Sequence, residues 1–328
     1  MKLNPKVKLT SRLFSKNIPM IPTRNGYGEG LVALGEKNGK VVVLCCDLTE
    51  STRANLFAEK FPERFVEVGV AEQNMAGLGA GMALAGYIPW LSSYAVFSPG
   101  RNWDQIRVSI CYTDANVKIA GAHAGISVGP DGATHQALED IAIMRVLPNM
   151  AVVVPADSIE TKKATVALGE VKGPAYLRFA RTESPVFTTE KTPFTIGQAE
   201  ILVSGADITI VGCGPLLYRA LQAAEILEKK YKINAEVINS HTIKPLDGKT
   251  ILFSVKKTGA CVTVEEHQIY GGLGSAVAEY LAEHYPAPMR FIGMPDSFGE
   301  SGRPDELLEK YGMTAGKIVE ACLDLKNN

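Results

Sequence analysis

Glu72 stands where an extended run, Val66-Glu67-Val68-Gly69, gives way to a helical pattern. A carboxylate in the first turn of a helix suits the helix dipole. Glu72 therefore reads either as a helix-start residue or as a group that handles protons. Further along, residues 121–136 form a long, glycine-punctuated stretch carrying His123, Asp131 and His135. Loops of this length inside compact domains are usually functional. His123 could bind an anion or donate a proton. Asp131 and His135, four apart at what reads as a loop–helix junction, could face one cavity. Tyr94 and Phe97 are three apart after a strand, a spacing that suits stacking on a planar ligand or simply closing a core. Arg24, Arg178 and Arg181 are candidate anion clamps, with Ser51 as a hydroxyl donor; taken singly, each fits a surface charge. Asp47, at the end of a buried strand, suits a helix cap or a site. Glu265-Glu266-His267 is a possible functional cluster whose plainer reading is a loop. Gly271-Gly272-Leu273-Gly274 lacks the G-x-G-x-x-G spacing of a dinucleotide loop.

These residues have to be positioned by an alternating chain. Val41 to Cys46 is a continuous apolar run, the pattern of a strand buried on both faces. Shorter strand-like runs cover 65–68, 88–92, 117–120, 151–154 and 176–179. Helical patterns lie between most of them, notably 26–37, 102–112 and 158–170. After a proline- and threonine-rich lapse the alternation restarts, with strands at 208–211, 235–238, 260–264 and 290–293, helices at 216–231 and 274–283, and two closing helices. This predicts an α/β fold of two domains, each a mostly parallel sheet with helices on both faces. The expected divisions are an N-terminal arm (1–22), a first domain (23–188), a linker (189–196) and a second domain (197–328). In such sheets function gathers in loops at the carboxyl ends of strands, where the residues above lie. The helix after Glu72 is dense in small residues, including Gly77, Gly79 and Gly81. Each glycine costs roughly 1 kcal/mol relative to alanine, which implies that something approaches the helix closely.

Composition narrows the function class. A formal net charge of −1 without a basic block argues against nucleic-acid binding. No apolar run approaches a membrane span, and the lysine-dotted N-terminus lacks the apolar core of a signal peptide. The six cysteines show no C-x-x-C spacing. They suggest neither a disulfide framework nor a zinc site, and they fit a reducing cytoplasm.

Taken together, the segments Gly69-Val70-Ala71-Glu72-Gln73-Asn74-Met75 and Gly129-Pro130-Asp131-Gly132-Ala133-Thr134-His135-Gln136 resemble the thiamine-diphosphate enzymes of the transketolase family. Weaker similarity lies in 147–150, 155–157 and 244–247, and the resemblance extends from about Pro22 onward, over the pyrimidine-binding domain and the C-terminal domain. It implies that Glu72 bonds the aminopyrimidine ring and exchanges a proton with it. It also implies that Phe97 and Tyr94 lie against that ring, with Asp47 near the cofactor. By the same resemblance Asp131 and His135 contact the donor sugar and assist proton transfers, and Arg24, Ser51, His123 and Arg181 hold the substrate's phosphate end. That set favours phosphorylated sugars over a free 2-oxo acid.

The sequence departs from the family in one respect: it contains no Gly-Asp-Gly, the motif that with a distal Asn holds the diphosphate and a divalent metal. The domain that carries it is expected ahead of the pyrimidine-binding part, where this chain has only its arm. The chain thus resembles the C-terminal subunit of a split transketolase. The expectation is that it holds no metal itself, relies on Mg2+ and diphosphate sites in a separate N-terminal subunit, and works as a two-plus-two heterotetramer. The alternatives are a subunit of another thiamine-diphosphate enzyme, such as deoxyxylulose-phosphate synthase (residues 94–105 are somewhat reminiscent of it) or the beta subunit of a 2-oxo acid dehydrogenase. A non-catalytic regulatory or scaffolding relative is the alternative from another class. Which ketose and aldose are used is open at this level.

Overall fold

The computed structural model describes residues 1–327. Seven strands form the first sheet, in the spatial order Phe65–Glu67, Val41–Cys45, Ile88–Tyr94, Lys118–Ala122, Ala175–Arg178, Ala151–Val153 and Thr242–Lys244. The first six pair in parallel. All five residues of Val41–Cys45 are buried, as are all five of Lys118–Ala122, because helices cover both faces of a parallel sheet. The second sheet runs Lys2–Leu3, Glu200–Ser204, Ala235–Asn239, Ile208–Gly212, Cys261–Gln268 and Met289–Met294. Its last four strands are mutually parallel. The expected two-sheet α/β architecture is therefore present.

Two pairings join the halves. Thr242–Lys244, from the second half, adds antiparallel to the edge of the first sheet. The N-terminal segment is strapped down at both ends. Lys2–Leu3 pairs with Glu200–Ser204, and Met20–Pro22 pairs with Glu183–Pro185. Neither short strand has a periodic signature, since two or three residues cannot display one.

Several local expectations change. The region 102–112 is one short turn, Trp103–Gln105, continuing as a π-helix over Ile106–Tyr112. The stretch 216–231 is an α-helix over Leu217–Ile226 that widens into a π-turn at Leu227–Tyr231. Helix Gly248–Thr258 and strands Glu200–Ser204 and Thr242–Lys244 had no predicted counterpart. Asp131 and His135 do not lead into a helix: the next one is Asp140–Arg145. Before it the chain turns at 133–135, where the His135 N–H bonds the Gly132 carbonyl at 2.9 Å, and makes an isolated bridge from Ala137 to Ala124. Among the described residues, no helix is long and apolar enough to cross a membrane. All six cysteines are buried and free.

The small-residue helix is Glu72–Leu84. Within this chain one of its glycines is under obligation. A Cβ on Gly79 would sit 2.7 Å from a Leu91 methyl, whereas Gly77 and Gly81 have nothing within 4 Å.

Candidate active site

The site is assembled from loops at the carboxyl ends of the first sheet's strands. Asp47 follows Val41–Cys45 with a positive φ of 57° and an exposed side chain. It caps no helix, since the adjacent helix Thr49–Thr52 starts after Leu48. Instead Glu67 gathers the neighbouring loops. Its Oε1 accepts from the Asp47 N–H at 2.7 Å and the Gly69 N–H at 3.0 Å, and its Oε2 accepts from Thr49 Oγ1 at 2.9 Å.

Glu72 opens its helix and is 4% exposed. Arg101 Nη1 donates to both of its carboxylate oxygens, at 3.0 and 3.2 Å. The same guanidinium lies over the Phe97 ring, 4.0 Å from the centroid. Asn102 donates to the Glu72 carbonyl at 3.1 Å, fixing the helix start to the loop that carries the aromatics. Phe97 stacks with Tyr94 at 5.8 Å, Tyr94 stacks on His123 at 3.9 Å, and His135 presents its ring edge-on to Phe97 at 5.4 Å. The carboxylate, both aromatics and both histidines singled out in the sequence thus form one continuous lining.

Beyond His123 lies a cationic end. Thr23 Oγ1 accepts from the Ala180 N–H at 2.8 Å and donates to the Ala180 carbonyl at 3.1 Å. This brings the first turn of helix Thr23–Lys37, with Arg24, beside the loop bearing Arg181. Arg24 Nη1 donates to the Ser51 carbonyl at 2.9 Å. Arg181 Nη1 donates to the Val128 carbonyl at 3.0 Å and to Asp131 Oδ1 at 3.3 Å. Burial, together with the like charges of Arg53 and Arg181, pushes the Arg24 guanidinium below its ordinary value.

His123 is 1% exposed and its Nδ1 is buried without a partner. Burial first, then Arg24, Arg181 and His135, push its pKa down to about 3. The imidazole is therefore neutral at working pH. Because the folded value lies below the ordinary 6.5, the unfolded chain takes up the proton first. The stability held by neutral His123 is complete above pH 6.5 and drains as the pH falls toward 3. Between pH 6.5 and 5 wild type is expected to lose roughly 2 kcal/mol more stability than His123→Phe, as read by urea titration at the two pH values. Equal losses would show that His123 takes up its proton as readily in the folded chain.

Two expectations are corrected. Arg178 is not available to a ligand. It is buried in the sheet, with Nε on Asp140 Oδ2 at 2.7 Å and Nη2 on the Ala137 and Glu266 carbonyls at 3.2 and 2.9 Å. Glu265, Glu266 and His267 are not a loop but part of strand Cys261–Gln268. Glu265 accepts from the Leu273 and Gly274 N–H groups at 2.7 and 2.8 Å, at the start of helix Leu273–His284. Glu266 Oε1 accepts the Ser127 N–H at 2.6 Å, so a second-half strand braces the His123–His135 loop. Gly125 is needed there: it has a φ of 89°, and a Cβ would lie 2.3 Å from Glu266 Oε1.

Arg101, which pairs with Glu72, and Arg53, whose charge acts on Arg24, were not singled out from the sequence. Both lie within a few residues of groups that were, Phe97 and Ser51, and that proximity was the available signal.

Residues 19–186 match the transketolase pyrimidine binding domain, and residues 197–318 match the transketolase C-terminal domain. The chain is 46% identical over 304 residues to a transketolase C-terminal section of Methanocaldococcus jannaschii, covering 92% of this chain and 95% of that one. It is 41% identical over 299 residues to a 6-deoxy-6-sulfo-D-fructose transketolase subunit of a Clostridium species, covering 91% and 92%. Among solved structures it is similar to a split-gene transketolase described as an inactive beta4 tetramer. That match has a TM-score of 0.88 and 47% identity, and covers 94% of this chain and 99% of that one. With both domains matched over most of its length, and relatives this similar aligned nearly end to end, the chain belongs to the transketolase family.

Proposed function

We propose that this chain is the C-terminal subunit of a two-chain transketolase, moving a two-carbon ketol unit between a ketose phosphate and an aldose phosphate. The observation that carries the reading is the continuous lining from buried Glu72, past Phe97, Tyr94 and His135, to the cationic end formed by Arg24, Arg181 and neutral His123. One end offers a carboxylate beside an aromatic face, which fits an aminopyrimidine. The other offers arginines whose charge nothing within the cluster fully balances, which fits a phosphate. Thiamine diphosphate, when bound, supplies a nucleophilic thiazolium carbon and an electron sink for the cleaved ketose.

The chain's own residues would do the rest. Glu72 would hold and exchange a proton with the aminopyrimidine ring nitrogen, while Phe97 and Tyr94 stack beside it and Asp47 lines the cofactor's approach. His135 and Asp131 would bond the sugar hydroxyls and move protons at those oxygens. Arg24, Ser51, His123 and Arg181 would hold the phosphate, whose charge would offset the arginines' repulsion of a protonated His123. The diphosphate and Mg2+ are assigned to a separate N-terminal subunit carrying Gly-Asp-Gly, the motif that this sequence does not contain, in a two-plus-two heterotetramer. Gly77 and Gly81, where an added Cβ would meet nothing within 4 Å, and the exposed Val70, Leu84 and Tyr87 nearby would meet a second subunit.

Reconstitution tests this directly. The isolated chain with thiamine diphosphate and Mg2+ is expected to be inactive, and adding the N-terminal subunit should give transfer from xylulose 5-phosphate to ribose 5-phosphate. Turnover by the isolated chain would defeat the two-chain reading. Activity of the complex with pyruvate and glyceraldehyde 3-phosphate instead would select a deoxyxylulose-phosphate synthase reaction. The Clostridium relative is named for a sulfonated ketose, so the donor panel should include one.

Within the active complex, Arg181→Ala is expected to raise KM for phosphorylated sugars roughly 10- to 100-fold, the loss of a charge-assisted bond of about 1.5–3 kcal/mol. Because Arg181 also holds Asp131 and the Val128 carbonyl, kcat should fall as well. An unchanged KM would place the phosphate elsewhere.

A further inference from the structure

The Arg101–Glu72 contact is lopsided. Glu72 is 4% exposed and Arg101 48%. A desolvated carboxylate needs a compensating partner, whereas a half-exposed guanidinium on a flexible stem is content in water. The pair therefore exists for the glutamate. Arg101 also lies flat against Phe97, its guanidinium carbon 4.0 Å from the ring centroid. Its backbone N–H is bonded to the Phe97 carbonyl at 2.7 Å, so the side chain folds back over its own loop.

A guanidinium is planar, stacks on aromatic faces and offers N–H donors to a carboxylate. Those are the demands that an aminopyrimidine meets at the same two groups. We infer that Arg101 is an internal placeholder: in the free chain it occupies the Phe97 face and the Glu72 carboxylate, and it swings outward when the cofactor ring enters. The inference rests on the thiamine-diphosphate reading given above. Two flat groups cannot share one layer of about 4 Å against Phe97, and the Glu72 oxygens that Arg101 engages are the ones that proton exchange with a ring nitrogen requires. Departure is open to Arg101. Among the described residues Glu72 is the one carboxylate it pairs with, and half of its side chain already faces solvent.

A placeholder has two consequences that a purely structural ion pair does not share. It spares the free chain a buried, uncompensated carboxylate, and it competes with the cofactor, lowering apparent affinity by the fraction of time it is in place. The test uses Arg101→Met, which keeps the stem and removes the charge and the planar head. In the complex with the N-terminal subunit and Mg2+, thiamine diphosphate titrated by calorimetry is expected to bind about 3- to 30-fold more tightly to Arg101→Met than to wild type. In the isolated chain, Arg101→Met should lower Tm by about 2–4 °C, and the double variant with Glu72→Gln should recover most of that loss. Arg101→Lys, which restores charge without the flat head, should restore Tm more fully than it restores the wild-type cofactor affinity.

Weaker or unchanged cofactor binding by Arg101→Met, alongside normal binding by wild type, would overturn the placeholder and make Arg101 a cofactor ligand or a bystander. Additive Tm effects of the two substitutions in the isolated chain would also overturn it. Absence of thiamine diphosphate binding by the wild-type complex would instead overturn the functional reading itself. The two failures are therefore distinguishable.

Discussion

Replacing Glu72 by glutamine is expected to lower kcat of the assembled enzyme by roughly 10²- to 10⁴-fold, the usual contribution of a positioned acid–base group, while the fold survives. Glutamine has the size of glutamate and can still bond Arg101, but it can neither take nor return a proton. The helix start does not depend on the carboxylate alone: the Asn102 side chain holds the Glu72 carbonyl and would go on doing so. Arg101, half exposed, loses a counter-charge but keeps its water and its stack on Phe97. Circular dichroism and Tm close to wild type, with collapsed kcat in the reconstituted complex, would be the signature. A rate near wild type would remove Glu72 from the chemistry and leave it a helix-start residue, the other reading its sequence position allows.

The second large effect is structural. Asp140→Ala is expected to destabilise the chain by roughly 3–5 kcal/mol, the cost of stranding one member of a buried ion pair. Arg178 and Asp140 are 5% and 1% exposed, and Tyr176 donates to the same Asp140 oxygen at 2.7 Å. Burial on its own would push the Asp140 carboxyl up. Arg178 and His267, with hydrogen bonds from Arg178 and Tyr176, override it and hold the carboxyl below its ordinary 3.8. The sign follows: this stabilisation is present above pH 3.8 and is lost as the pH falls below that value. Urea titration near neutrality checks the magnitude. Were Arg178 instead an anion ligand, Asp140→Ala would raise KM and leave the unfolding midpoint in place.

How far the sequence reaches is clear from particular residues. Val41–Cys45 could be read as a buried strand because both faces of a parallel sheet are covered, so every position is apolar. Helix Ser158–Glu170 could be bounded because Asp157 is a local cap, accepting from the Glu160 N–H at 3.0 Å. The short pairings Lys2–Leu3 and Thr242–Lys244 could not be foreseen, because what makes them strands is an edge supplied by distant chain.

The same division runs through the site. Glu72 at a helix mouth, Tyr94 and Phe97 after a strand, and the Asp131–His135 loop are each specified by neighbouring residues, so their chemistry and approximate placement were legible. The fate of each arginine was not. Arg178 and Arg181 are three residues apart, yet one is sealed beneath the sheet by Asp140 and the other reaches Asp131 at the surface. Arg24 meets the Arg181 loop through a Thr23–Ala180 contact spanning 157 residues. Glu266, which looked like part of a loop, braces Ser127 from the other sheet. By itself the sequence determined the fold class and the chemical character of the lining. Only the tertiary structure decided which charge meets which. The partner of a long charged side chain is set by burial and strand order across the whole molecule, and no local spacing records either.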